Sequence, residues 1–329
     1  MKRLALAVPI AVLLSVVAVL LASAQPRTKP AQIGVLWGGE TAFAIPYVEA
    51  ARRALRDLGL VEGKDFVPEL RFGERKPGAV ETLAAELVGR KVDVIVAAGD
   101  TAIHAARRAT ETIPIVMVAA GDPVKSGLAA SLARPGGNVT GMTFLSSELA
   151  GKRLELLKEA VPTVSRVGVL WNPENPGGPA DLRATQTAAE TLRVTLQSFE
   201  VRKVGDFDQA FKLMTDARMQ AVVVLTDPVT ANRAGKVLAD LALKSRLPLI
   251  CDLREFTESG ALLSYGPSLL LMAQRSAAFV DKILKGAKPA DLPIEQPAKF
   301  ELVVNLKAAN GLGITIPQSL LRRADDVIQ

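Results

Sequence analysis

Short, continuously apolar runs alternate along this chain with longer stretches whose apolar residues recur every three to four positions. The runs predict strands at 33–37, 66–72, 92–97, 114–118 and 138–143, and again near 166–171, 195–201, 220–225, 248–251 and 261–265. The periodic stretches predict helices at 44–58, 78–89, 101–110 and 124–132, then near 180–193, 206–218, 229–245 and 268–285. The core runs do not alternate apolar with polar. That is the pattern of parallel strands covered by helices on both faces. Two open parallel sheets with right-handed crossovers follow.

The pattern also repeats. Ile33-Gly34-Val35-Leu36-Trp37 returns as Val167-Gly168-Val169-Leu170-Trp171, at an offset of 134 residues. Ile113-Pro114-Ile115-Val116 returns as Leu247-Pro248-Leu249-Ile250 at the same offset. Val94-Ile95-Val96 and Asp100 are echoed by Val222-Val223-Val224 and Asp227, at about 128. A shared offset means two α/β halves of one plan. The expected fold is α/β, two Rossmann-like lobes with parallel sheets.

In such sheets a ligand lies beyond the carboxyl ends of the strands. Two facing lobes bring six loops to one cleft: 38–41, 99–101, 120–123, 172–175, 226–228 and 252–255. The candidate ligand-binding residues are Trp37, Gly38, Gly39, Glu40, Gly99, Asp100, Thr101, Gly121, Asp122, Trp171, Asn172, Asn175, Asp227, Asp252 and Tyr265. At Gly99-Asp100-Thr101 a strand turns into a helix whose first N–H groups suit an anion, and the Thr hydroxyl can cap or contact a ligand. Asp100, Asp122, Asp227 and Asp252 are candidate partners for a ligand ammonium. Most carboxylates at strand ends only cap helices, so one or two of the four are expected to touch the ligand. Trp37 and Trp171, the chain's two tryptophans, end the first strand of each half. Each either stacks on a ligand or packs under its loop. Tyr265 lies near 265–268, one of the places where the chain is expected to cross between the halves and form a hinge.

The ends and the composition narrow the class. Lys2 and Arg3 precede an apolar run to Leu21, and Ala22-Ser23-Ala24 is a small-x-small exit. These are the parts of a secretory signal over 1–24, with a retained membrane anchor as the alternative, and with cleavage after Ala24 a mature chain of about 305 residues is expected in the periplasm. No cysteine follows the run, so no lipid anchor is expected. The net charge of +6 falls to +4 without Lys2 and Arg3, and the basic residues are dispersed. A nucleic-acid partner is not expected. Cys251 is the one cysteine and reads as a buried thiol in a strand. His104 is the one histidine, which excludes a zinc site built on histidines and reads as structural or cleft-lining. Phosphate-loop, dinucleotide, zinc-protease and nucleophile-elbow signatures are absent. Residues 121–126 (GDPVKS) are only a near miss to a phosphate loop, lacking the glycine before the lysine. No cofactor or metal is expected, and the loops read as a binding site without chemistry.

Several stretches carry a family resemblance. They are Leu58–Gly63, Ala84–Val88, Gly121–Val124 with Ser131–Gly141, Lys152–Lys158, Arg254-Glu255-Phe256, Ser264-Tyr265-Gly266, Val280–Pro289 and Pro297–Lys307. Across the mature chain the sequence resembles the exported substrate-binding proteins of ABC transporters, in the subgroup related to binders of tryptophan and other aromatic amino acids. The resemblance implies a type I periplasmic-binding-protein fold with three crossovers. It implies an N-terminal lobe of 31–146 plus about 267–289 and a C-terminal lobe of 147–266 plus about 290–329. It also implies capture of a small solute, an amino acid or a similar small carboxylate or amide. Delivery to an inner-membrane permease, driven by a separate ATPase subunit, completes the picture, with a monomer as the expected state. A ligand-sensing partner of a membrane receptor and a cleft enzyme of racemase or lyase type are the alternatives. The resemblance also implies a Thr-Gly-Thr-like turn where this chain has Ala98-Gly99-Asp100-Thr101. Asp100 thus puts a carboxylate where a ligand's own carboxylate would dock, or moves that carboxylate toward Thr101 and Gly121. Trp37 and Gly38-Gly39 are unusual in the same way.

Overall fold

The computed structural model describes residues 29–74, 76, 78–144, 146–230 and 233–329. The expected signal segment, 1–24, lies outside them. The chain forms two α/β lobes, each around an open sheet. In the first, β1 (Ala31–Trp37), β2 (Phe66–Phe72), β3 (Val94–Ala98), β4 (Ile115–Ala120) and β5 (Val139–Thr143) lie in the order β2-β1-β3-β4-β5. In the second, β6 (Arg166–Trp171), β7 (Thr195–Glu200), β8 (Ala221–Val224), β9 (Leu249–Cys251) and β10 (Leu263–Pro267) repeat that order. β11 (Phe300–Asn305) and β12 (Asp326–Ile328) extend the second sheet.

The repeated sequence therefore becomes a repeated topology, and every pairing is parallel except β10 with β11. The central strands are buried along their length: Val94, Ile95 and Ala97 in the first sheet, Ala221, Val222 and Val223 in the second, are fully covered. Helices on both faces supply that cover, which is why these runs needed no polar alternation.

The structure corrects one helix. Residues 124–132 form turns, although Val124, Leu128 and Leu132 have helical spacing. Gly127 takes a φ of +76°, and the Pro123 carbonyl accepts the N–H groups of both Leu128 and Ala129. The structure also adds helices at Ser146–Ala160, Arg254–Glu258, Leu306–Leu312 and Gln318–Leu321, and the strands β11 and β12, which the pattern did not predict.

The chain changes sheets between β5 and the helix Ser146–Ala160. After β10 the helix Leu269–Leu284 packs against the helix Thr41–Asp57 and the first sheet. The chain then returns along the edge of β5, where the Glu295 N–H donates to the Gly141 carbonyl at 2.9 Å. Arg275 holds this strap with two hydrogen bonds of 2.7 Å to Glu295. Gly141, at φ +125°, lets the strap-bearing strand press on β4, since a Cβ there would run into the Met117 backbone.

Candidate functional site

The carboxyl ends of β1 and β3 face those of β8 and β9 across a cavity that both lobes line. The first lobe contributes Trp37, Gly39, Glu40, Phe43, Gly99, Asp100, Ala119 and Phe144. The second contributes Asn175, Thr226, Asp227, Pro228, Asp252, Leu253 and Phe256. The lobes are in contact around it. Tyr47 Oη donates to Glu255 Oε1 at 2.5 Å, and a Cβ on Gly38 would lie 3.8 Å from the Pro228 ring.

One wall is aromatic because β1 runs directly into the helix Thr41–Asp57. Phe43 and Tyr47 are four residues apart, so they share a helix face. Trp37 at the strand end stacks on Tyr47 with centroids 5.6 Å apart and planes at 6°, while Phe43 meets its edge at 6.1 Å. Phe144, the residue after the first lobe's last strand, and Phe256, from the short helix Arg254–Glu258, close the apolar side.

The floor is acidic. Gly99, at φ +79°, turns β3 into the helix Asp100–Ala109. Asp100 is its first residue, and the carboxylate swings across to accept the Gly121 N–H on Oδ1 at 2.9 Å. Its Oδ2 lies against Gly177 of the other lobe, where any Cβ would collide with it. Burial pushes the Asp100 carboxyl up to about 6, the Gly121 N–H works against that, and the charges of Asp181 and Asp227 add to it.

Asp227 lies opposite. Val229 N–H donates to it at 2.7 Å and Asn172 Nδ2 at 3.2 and 3.3 Å. Burial still lifts it to about 6, with Asp252 contributing. Asp252 is 4 % exposed, and its Oδ2 has no hydrogen-bond partner. The Thr226 hydroxyl is likewise buried and unpartnered. Behind this wall the fully buried Arg153 donates from Nε to the Tyr265 carbonyl at 2.9 Å; burial raises the nearby Asp181 carboxyl, and the Ser147 hydroxyl and the Arg153 charge only partly offset that. Among the described lining residues there is no lysine, arginine or histidine. Among the described residues no group of three or more acidic, histidine or cysteine side chains could hold a metal ion.

Of the residues singled out in the sequence, Trp37, Gly39, Glu40, Gly99, Asp100, Asn175, Asp227 and Asp252 meet at this cavity. Gly38, Thr101 and Asn172 line an adjoining groove at the cleft edge. Gly121 contributes through its bond to Asp100. Three residues are placed elsewhere. Trp171 packs on the second lobe's core under the helix Gly178–Leu192, and Gly178 lets that helix settle onto its ring. Asp122 caps its own turn, accepting the N–H groups of Val124 and Lys125 at 3.1 and 3.0 Å. Tyr265 packs beside Phe300. His104 is on the helix Asp100–Ala109 outside the cavity lining, and burial lowers its pKa. Cys251 is fully buried, with its thiol pushed well up by burial. The pattern had not singled out Phe43, Phe144, Phe256 or Thr226. The i, i+4 spacing of Phe43 and Tyr47 after Trp37 was the available signal for the aromatic wall.

Two similar lobes around a shared cavity make the periplasmic-binding-protein fold. The chain belongs to the ABC transporter substrate binding protein family, whose model matches residues 46–328. It is similar to the tyrosine-binding protein of Clostridioides difficile, 25% identical over 254 residues that cover 77% of this chain and 72% of the relative. Among solved structures it is similar to an ABC domain from Streptococcus pneumonia in complex with L-Trp, at 27% identity and a TM-score of 0.85, covering 91% of this chain and 100% of that one. A conserved domain protein from Vibrio cholerae gives 28% identity and a TM-score of 0.86, covering 91% of this chain and 100% of that one.

Proposed function

We propose that the protein is exported and captures a small solute bearing an ammonium group and an apolar body, such as an amino acid or a close derivative. It closes its lobes over the solute and hands it to a membrane permease without turning it over. The carrying observation is the inter-lobe cavity of a substrate-binding family member, in which aromatic rings face buried carboxylates. The rings suit an apolar body and add cation–π attraction, and the carboxylates suit an ammonium. A relative named for tyrosine and a similar structure holding L-Trp support a ligand of this size. The buried, unreactive state of Cys251 supports binding over nucleophilic chemistry. Export accords with the family.

The test is a thermal-shift screen on purified protein, unfolded and refolded to strip carried ligand, against amino acids, amines, sugars, nucleosides and organic acids. A ligand of the folded state adds about 2.7 kcal/mol at a hundredfold excess over its Kd. A saturable rise in melting temperature with one ammonium-bearing class is the expected result. Turnover of that ligand on incubation would overturn the binding-only reading.

A further inference from the structure

Resting on that reading, we propose that the ligand is a primary amine with no carboxylate of its own, its place being filled by Asp100. A ligand carboxylate in such a cleft needs N–H donors at a helix start or a basic side chain. Here the helix Asp100–Ala109 begins with a carboxylate. That carboxylate takes the Gly121 N–H at 2.9 Å and extends to touch Gly177 across the cleft. No basic side chain stands among the described lining residues. A second carboxylate brought in by the ligand would therefore face Asp100, Asp227 and Asp252 in a buried space, where like charges repel strongly.

The complementary need is for donors. Asp252 Oδ2 is a buried acceptor with no partner, and in the same cavity lining the Thr226 hydroxyl, which can donate or accept, is also unpartnered. An unmatched buried acceptor is costly, and a primary ammonium brings three N–H donors. A quaternary ammonium has none to give. Trp37, Phe43, Phe144 and Phe256 provide an apolar, π-rich surround for the rest of the molecule.

Calorimetry on the refolded full-length protein tests this with matched pairs: tyramine against tyrosine, and 2-phenylethylamine against phenylalanine. Hydroxyphenylpropionate and trimethyl-phenethylammonium are the controls. We expect each amine to bind at least about tenfold more tightly than its amino acid, and neither control to bind comparably. Asp100→Asn and Asp252→Asn each weaken the amine by about tenfold, with unchanged melting of the unliganded protein as the check on folding. Asp100→Thr narrows the preference for amine over amino acid. Amino acids binding as tightly as amines would overturn this inference and leave solute capture standing. Comparable binding of the quaternary compound would overturn the donor argument, and with it the inference. Amine binding indifferent to both substitutions would do the same. Saturation by a sugar alone overturns the ammonium ligand altogether, whereas no saturation across the whole screen is the failure of capture itself.

Discussion

Trp37 and Trp171 occupy matching positions at the ends of β1 and β6, yet one lines the cavity and the other supports a core. The loops that follow explain the divergence. After Trp37, Gly38 and Gly39 lead quickly into the helix Thr41–Asp57, whose Tyr47 covers one face of the ring while another part stays at the cleft. After Trp171 the loop is longer. Asn172 turns inward to Asp227, Asn175 donates to the Thr226 carbonyl at 2.9 Å, and the next helix drops onto the indole over Gly178. A duplicated scaffold thus assigns apolar recognition chiefly to one lobe. The other holds two of the three cavity aspartates. The loops after a shared strand, and not the strand itself, decide whether the strand-end tryptophan meets the cavity or the core.

The largest expected effect separates the two indoles. Trp171→Ala opens a void under the helix Gly178–Leu192 and should cost about 3 kcal/mol of stability, lowering the melting temperature by several degrees. Trp37→Ala should cost less stability and show instead as a loss of ligand affinity of about tenfold or more in calorimetry. Equal stability losses with equal affinity losses would break the contrast.

Tyr47→Phe tests the contact that joins the lobes. The substitution keeps the ring under Trp37 and removes only the hydrogen bond to Glu255. A hydrogen bond to a charged group contributes about 1.5–3 kcal/mol. Ligand affinity should fall by about tenfold, while the melting temperature of the unliganded protein changes little because each lobe keeps its own core. A large drop in unliganded stability would mean the bond belongs to the first lobe's fold and not to closure.

These contrasts mark how far the sequence could be read. The central strands were legible because burial on both faces demands continuous apolar runs, and the 134-residue echo repeated that demand. The helix Ser146–Ala160 was not, because fully buried Arg153 interrupts its apolar face with a charge. Residues 124–132 misled because apolar spacing carries no information about the left-handed Gly127. Most of the acidic floor was legible as strand-end loops. Which carboxylates turn inward was not, since Asp122 and Asp227 both accept the N–H two residues on and differ in whether their turn lies at the surface or at the inter-lobe cavity. Phe144 and Phe256 reach the cavity from elements far apart in the chain, and no local pattern ties them to it.

The smallest expected effect is electrostatic and has two opposed signs. Asp100 and Asp227 stand in different lobes, and in the closed cleft burial raises each from the usual 3.8 to about 6. A carboxyl with a raised pKa favours the closed state when protonated, and that contribution is lost as pH rises through about 6. Without ligand the lobes should be more closed at pH 5 than at pH 8, and the radius of gyration in X-ray scattering should grow with pH. The change stays modest because opening rehydrates both carboxylates long before either lobe unfolds. The charge of Asp181 on Asp100 and that of Asp252 on Asp227 add to these shifts. An ammonium ligand reverses the trend, since it binds the ionised pair: affinity should rise from pH 5 to pH 7 and then level. Asp100→Asn should flatten both curves, because one neutral side chain removes the cross-lobe repulsion and half the attraction for the cation. A radius of gyration that shrinks with rising pH in the unliganded protein would mean that charge from elsewhere governs closure, and the two lobes would then be coupled by their surfaces and not by the carboxylates between them.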